Sequence, residues 1–112
     1  MIHYMKLKEE PFISIKSGEK TIEMRLFDEK RQLVKVNDSI EFENIVTKEK
    51  IVTKVVELFR FENFEELYEN FDKSELGYLE NQPCSPKDMS KHYAESEIEK
   101  CGVLGIRIKI IW

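Results

Sequence analysis

An α+β fold, a small curled mixed sheet of about five to six strands closing into an open barrel with short flanking helices, is the architecture this sequence predicts. Three observations lead there. Five runs alternate apolar with polar residues or concentrate β-branched ones: Ile2–Leu7, Lys20–Leu26, Ile40–Glu43, Lys50–Phe59 and Val103–Trp112. Helix signals fall after the first run and between the fourth and fifth, which is not the regular strand–helix alternation of a doubly wound fold. The chain of 112 residues is the size of one domain, and it can bury one hydrophobic core without disulfide or metal staples.

The first strand runs into Glu9-Glu10-Pro11, acids ahead of a proline suited to a first helical turn, and Phe12, Ile13 and Ile15 give the predicted helix an apolar side. Gly18, which takes a left-handed backbone at low cost, closes that helix. In Lys20–Leu26, apolar Ile22, Met24 and Leu26 alternate with Thr21, Glu23 and Arg25. Glu23 and Arg25 therefore share a face, and Lys20 takes the opposite one unless the turn after Gly18 re-aims it. The charged stretch Asp28–Arg31 leads through Val34 and Val36 to an Asn37-Asp38 turn. Ile40 and Phe42 then alternate with Glu41 and Glu43, and the β-branched run from Lys50 pairs with that strand through a turn near Thr47–Glu49.

Asn63 starts a second helix. Phe64, Leu67, Tyr68 and Phe71 recur at the spacing of one helix face, and Asn63 with Glu66 resembles a capping box. Residues 72–85 are weakly patterned and broken by Gly77, Asn81 and Pro83, as a lid or binding loop would be. Ser85-Pro86-Lys87-Asp88 offers a further helix start, with helical sequence to Cys101 broken near Ala94–Ser96 and stopped by Gly102. The last strand sets Leu104, Ile106, Ile108 and Ile110 against Gly105, Arg107, Lys109 and Ile111.

A composition of 41% hydrophobic and 36% charged residues excludes a disordered chain. The net charge of −4 is a poor match for a protein that works by neutralising many phosphates. The charge is uneven: residues 1–56 carry 11 basic and 10 acidic groups, residues 57–112 carry 7 and 12, so an anion-binding surface should draw on the N-terminal half. Cys84 and Cys101 form no C-x-x-C pair, and the N-terminus lacks a basic segment followed by an apolar one, which points to a reduced cytoplasmic protein. No apolar run approaches the ~18 residues of a membrane span. His3 and His92 have no partner at metal-ligand spacing, so neither a metal nor a cofactor is expected, and the oligomeric state is left open.

The densest set of candidate groups is Gly18–Arg25. Arg25 can hold a phosphate or carboxylate with a bidentate fork, Lys20 is a point charge, and Glu23 can accept from an exocyclic amine or move a proton. The plain alternative is a solvated Glu23–Arg25 strand face with salt bridges of ~0–1 kcal/mol. Tyr93 could stack on a base or simply bound the core, and His92 reads as a surface residue. Arg107 and Lys109 either supplement a phosphate contact or form a solvated face. Neither cysteine has an activating His nearby in sequence.

Gly18, Lys20, Glu23 and Arg25 together match the G-x-K-x-x-E-x-R motif of the ASCH domain family, which is related to the PUA-like RNA-binding fold, and the chain resembles that family over nearly its whole length. Val36-Asn37-Asp38-Ser39-Ile40-Glu41-Phe42 is similar to its V-G-D-x-I-x-F segment, with Asn37 in place of the usual glycine. Leu26–Arg31 resembles its turn, Phe64-Glu65-Glu66-Leu67-Tyr68 its F-x-x-L helix, and His92–Ile106 its ending, with Ala94 and Cys101 replacing a serine and an aromatic. The resemblance implies a PUA-like barrel whose cleft recognises RNA or a modified nucleoside through Lys20, Glu23 and Arg25. A small bacterial branch of the family hydrolyses the acetyl amide of N4-acetylcytidine with a Lys, a Thr three residues later and a distant Glu. Lys20 matches that Lys, Glu23 stands in place of the Thr, and Glu75 and Glu80 are the candidates for the distant Glu.

Two readings result, with a protein–protein adaptor a distant third. In a binding module, a base presents its exocyclic amine to Glu23 and its phosphate or carbonyl to Arg25 or Lys20. In an amidohydrolase, Lys20 acts as base or nucleophile and Glu23 or Glu75 shuttles the proton. Slow or absent turnover is expected, because a carboxylate beside Lys20 favours its ammonium form and no hydroxyl stands at position 23, unless Thr21 supplies the hydroxyl.

Overall fold

The five runs become five strands of one sheet in the computed structural model, which describes residues 1–111. The strands are β1 (Ile2–Leu7), β2 (Ile22–Leu26), β3 (Ser39–Asn44), β4 (Lys50–Phe61) and β5 (Val103–Ile110). The helices are α1 (Glu9–Lys16), α2 (Phe64–Asn70), α3 (Lys87–Ser90) and α4 (Glu95–Cys101), with a 3-10 turn at Arg31–Leu33. Trp112, the last residue of the final strand as read from the sequence, lies outside the described residues.

The strand order is β1-β3-β4-β5-β2, with β1 parallel to β3 and the other neighbours antiparallel, so the sheet is mixed and curls into a half-barrel with β1 and β2 as its edges. Strand β4 holds it together: its first half pairs with β3, most of its length pairs with β5, and a register shift between Val55 and Glu57 marks a bulge. Such a bulge sharpens local twist, as curling requires.

Two apolar clusters flank the sheet. Phe12 and Ile15 of α1 pack with Met5, Ile40, Phe42, Val55, Leu104 and Ile106. On the other side Ile22, Met24 and Leu26 pack with Phe64 and Leu67 of α2, Leu76, Ile98 and Val103. Strand β5 serves both clusters with alternate residues, which is why Val103 to Ile106 are all buried. Each fully buried Phe, Ile or Leu contributes roughly 1.5–3 kcal/mol. Asn63 caps α2 as its sequence suggests, its side-chain oxygen accepting from the Glu66 N–H at 2.8 Å. Gly102 ends α4 with φ +72°, and a Cβ there would stand 2.9 Å from the Phe61 carbonyl oxygen, so that position also needs glycine for space.

Two of the boundaries that differ from the sequence reading bear on the site. Strand β2 begins at Ile22 rather than Lys20: the Lys20 N–H bonds to the Ser14 carbonyl, and those of Thr21 and Ile22 both bond to the Glu75 carbonyl, each at 3.0 Å. The break expected near Ala94–Ser96 in the helical stretch up to Cys101 falls at residues 91–94, between α3 and α4, so Tyr93 sits in the break and not on a helix face.

Candidate functional site

Lys20, Glu23 and Arg25 form one buried ionic group. The Lys20 Nζ lies 2.9 Å from Glu23 Oε1, and Arg25 Nε donates to Glu23 Oε2 at 2.8 Å. Strand alternation would send Lys20 to the opposite face, but it precedes β2 in a turn tied to α1 and to the 72–78 loop, where strand periodicity does not apply. The loop also packs on its stem: a Cβ at Gly77, which has φ +96°, would meet Lys20 Cδ at 3.1 Å. Burial by itself would raise the Glu23 carboxyl, yet the charges and hydrogen bonds of Lys20 and Arg25 outweigh it and hold the group at about 2. Burial likewise opposes the charge on Arg25, and Glu23 more than offsets it, so its pKa is raised. Two cations on one carboxylate leave excess positive charge inside the protein.

That charge faces a cavity of about 530 Å³. Lys20, Glu23, Met24 and Arg25 form one wall, and Lys6 to Lys8, at the end of β1, form another. Leu76, Gly77 and Tyr78 enter from the loop, while Asp88, Met89, His92 and Tyr93 close the far side. The Tyr93 ring is backed by Phe64, nearly parallel at 20° with centroids 5.8 Å apart. Tyr78 and Asp88 are joined across the loop by a 2.7 Å hydrogen bond. A carboxylate only accepts, so Tyr78 donates to Asp88 and, its one proton used, accepts from Tyr68 at 2.7 Å. Burial pushes the Tyr68 phenol up to about 12, and burial with these hydrogen bonds pushes Tyr78 up as well. Both phenols stay neutral donors at physiological pH. The Ser14 hydroxyl oxygen, in another part of the wall, is buried without a hydrogen-bond partner among the described residues.

The ASCH domain family model matches residues 5–111. The protein belongs to the ASCH domain family. Among solved structures, the hypothetical protein PH0355 is 32% identical with a TM-score of 0.80, over 99% of this chain and 100% of that one. Protein PF0455 from Pyrococcus furiosus is 31% identical with a TM-score of 0.71, over 99% of this chain and 98% of that one. The ASCH protein from Zymomonas mobilis shares the fold at 15% identity, with a TM-score of 0.69 over 96% of this chain and 66% of that one. No curated protein matches the sequence. The curled five-stranded sheet with four short helices is thus the PUA-like half-barrel of ASCH domains.

Of the residues singled out in the sequence of this ASCH domain, Lys20, Glu23, Arg25 and Tyr93 all line the cavity, and Glu23 does not lie on a solvated face. Glu75 and Glu80 are not in its walls. The Glu75 carboxylate turns to Arg107, whose Nη1 donates to it at 3.1 Å, because the Glu75 backbone is held against β2 by the bonds from Thr21 and Ile22. Arg107 also pairs with Glu57 at 3.0 Å, which answers its charge, and Lys109 is exposed on the outer surface. Sequence reasoning passed over Tyr78 and Asp88. Asp88 carries only the signal of a first-turn helix acid, and Tyr78 lies in the weakly patterned loop. Among the described residues no three His, Cys, Asp or Glu side chains gather as metal ligands, and no helix is long and apolar enough to cross a membrane.

Proposed function

We propose that this ASCH domain binds RNA or a modified nucleoside and that the cavity receives one base. The observation that carries the reading is a carboxylate with two cations, buried together at the wall of a cavity large enough for a base. Desolvating three charges costs several kcal/mol per ion unless geometry and hydrogen bonds compensate, so such a group at a cavity is a candidate for ligand recognition. Each oxygen of Glu23 has acceptor capacity beyond its present bond, which suits an exocyclic amine, and the guanidinium of Arg25 has donors to spare for a carbonyl or phosphate. Tyr93, held by Phe64, supplies an aromatic surface for stacking. A net charge of −4 is compatible with one splayed nucleotide and unsuited to a long duplex.

Titration calorimetry with cytidine, N4-acetylcytidine and a short single-stranded RNA tests this. Arg25→Ala should weaken binding by roughly 1.5–3 kcal/mol. Melts must run in parallel, because Arg25 also neutralises Glu23 and donates to the Lys6 carbonyl. Absence of binding to any of the three would sink the reading. In the same samples, cytidine release from N4-acetylcytidine should be slow or nil, since Lys20 is paired with Glu23 and neither Glu75 nor Glu80 lines the cavity. Rapid release that disappears in Lys20→Ala would put the amidohydrolase reading first.

A further inference from the structure

Among the described residues, no backbone pairing between its edges closes the half-barrel. Side chains bridge the gap: Arg25 Nη2 donates to the Lys6 carbonyl and Lys30 Nζ to the Tyr4 carbonyl, each at 3.1 Å. Along this seam lies a second hollow of about 430 Å³, beside the outer face of β1. Lys6 and Arg25 line both hollows, so the two meet at a ridge carrying two cations. Beyond the ridge the walls are mixed. Tyr4, 60% exposed, offers an aromatic surface, Lys30 and Arg31 supply donors, and Glu41 and Glu43 on β3 supply acceptors. Arg31 keeps its Nε buried with no hydrogen-bond partner among the described residues, although its Nη1 donates to Asp28 at 3.0 Å.

Balanced charges around an aromatic ring suit the edge and face of a base better than a phosphate, whereas the cationic ridge suits the phosphate. We propose that this seam hollow is a second nucleotide subsite: the protein takes its base as part of single-stranded RNA, with the neighbouring base on Tyr4 and the linking phosphodiester at Lys6 and Arg25. The proposal rests on the base-binding reading of the first cavity and narrows it from a nucleoside to at least a dinucleotide. The cations of the ridge and the seam all come from the N-terminal half, where the sequence places its positive excess.

The test compares affinities for the four ribonucleoside 5′-monophosphates and the four matching homodinucleotides, in wild type, Tyr4→Ala and Lys30→Ala. At least one dinucleotide should bind ~10-fold or more tightly than its monophosphate, the gain of one stacked base. Tyr4→Ala should remove most of that gain and leave monophosphate affinity unchanged, and melts should show the fold intact, since Tyr4 is mostly exposed. Lys30→Ala should reduce the gain by a smaller factor. Equal affinity for both ligand lengths would overturn the subsite and leave the single-base reading standing. A gain that survives in both variants would place the second nucleotide elsewhere and overturn the subsite too. No binding of any of the eight ligands would overturn the subsite, and the reading of the first cavity would then be decided by the N4-acetylcytidine titration.

Discussion

Two ionic clusters, Lys20 with Glu23 and Arg25, and Arg107 with Glu57 and Glu75, are built around strands of this small sheet, and they differ in burial more than in bonding. In the first, Lys20, Glu23 and Arg25 are 9%, 3% and 13% exposed, and two cations share one anion. In the second, Glu57, Arg107 and Glu75 are 55%, 30% and 31% exposed, and two anions share one cation. The distances are alike, between 2.8 and 3.1 Å. Water screens the second cluster, so its pairs contribute ~0–1 kcal/mol each, Glu75 fastening the 72–78 loop to β5 and Glu57 joining β4 to β5. The first is largely removed from water, and its two cations share the single carboxylate of Glu23. The teaching is that a count of ion pairs does not separate a tether from a candidate site; desolvation beside a cavity does.

Removing the shared anion should have the largest effect. Glu23→Gln removes the carboxylate that pairs with both Lys20 and Arg25 and should destabilise by about 3–5 kcal/mol in urea unfolding. If it costs no more than a change in the exposed cluster, the contrast between the two is wrong. A pH series sharpens the same point. The Glu23 carboxyl is held at about 2 in the fold against an ordinary 4.5, so folding favours its anion. That stabilisation is complete above about pH 4.5 and is lost as pH falls through about 2, a change on the order of 3 kcal/mol. Glu23→Gln should lack this part of the acid slope. A residual slope should remain in the same window, because hydrogen bonding from His3 holds Asp38 at about 2 as well, against its ordinary 3.8.

Gly77→Ala should come next, at ~1–2 kcal/mol, since φ is +96° and the new methyl presses on Lys20. Ligand affinity should fall with it if Lys20 is displaced; unchanged affinity would show that the loop does not position Lys20. Glu75→Gln should cost least, at most about 1 kcal/mol, since it removes one half-exposed ion pair and leaves the Glu75 carbonyl bonds intact. A cost near that of Glu23→Gln would erase the distinction between tether and site.

The order of strands and helices, the glycine stops at 18 and 102, the Asn63 cap and the apolar faces were legible along the chain, because each depends on residues within a turn or two of one another. So was the set Lys20, Glu23 and Arg25, compressed into six residues. What alternation alone could not supply was the side on which Lys20 emerges. That depends on hydrogen bonds to Ser14 and on the fit of Gly77, neither of which is a strand property. Tyr78 and Asp88 were equally hidden: their joining across the cavity is a contact between a loop and a short helix ten positions apart, and neither segment has a period. The choice between Glu75 as a cavity group and Glu75 as a tether was likewise made by Arg107, 32 residues away. Local backbone preference and periodicity thus determined the elements. Only tertiary packing decided which charges lost their water, because desolvation is a property of everything that surrounds a group and not of its neighbours in sequence.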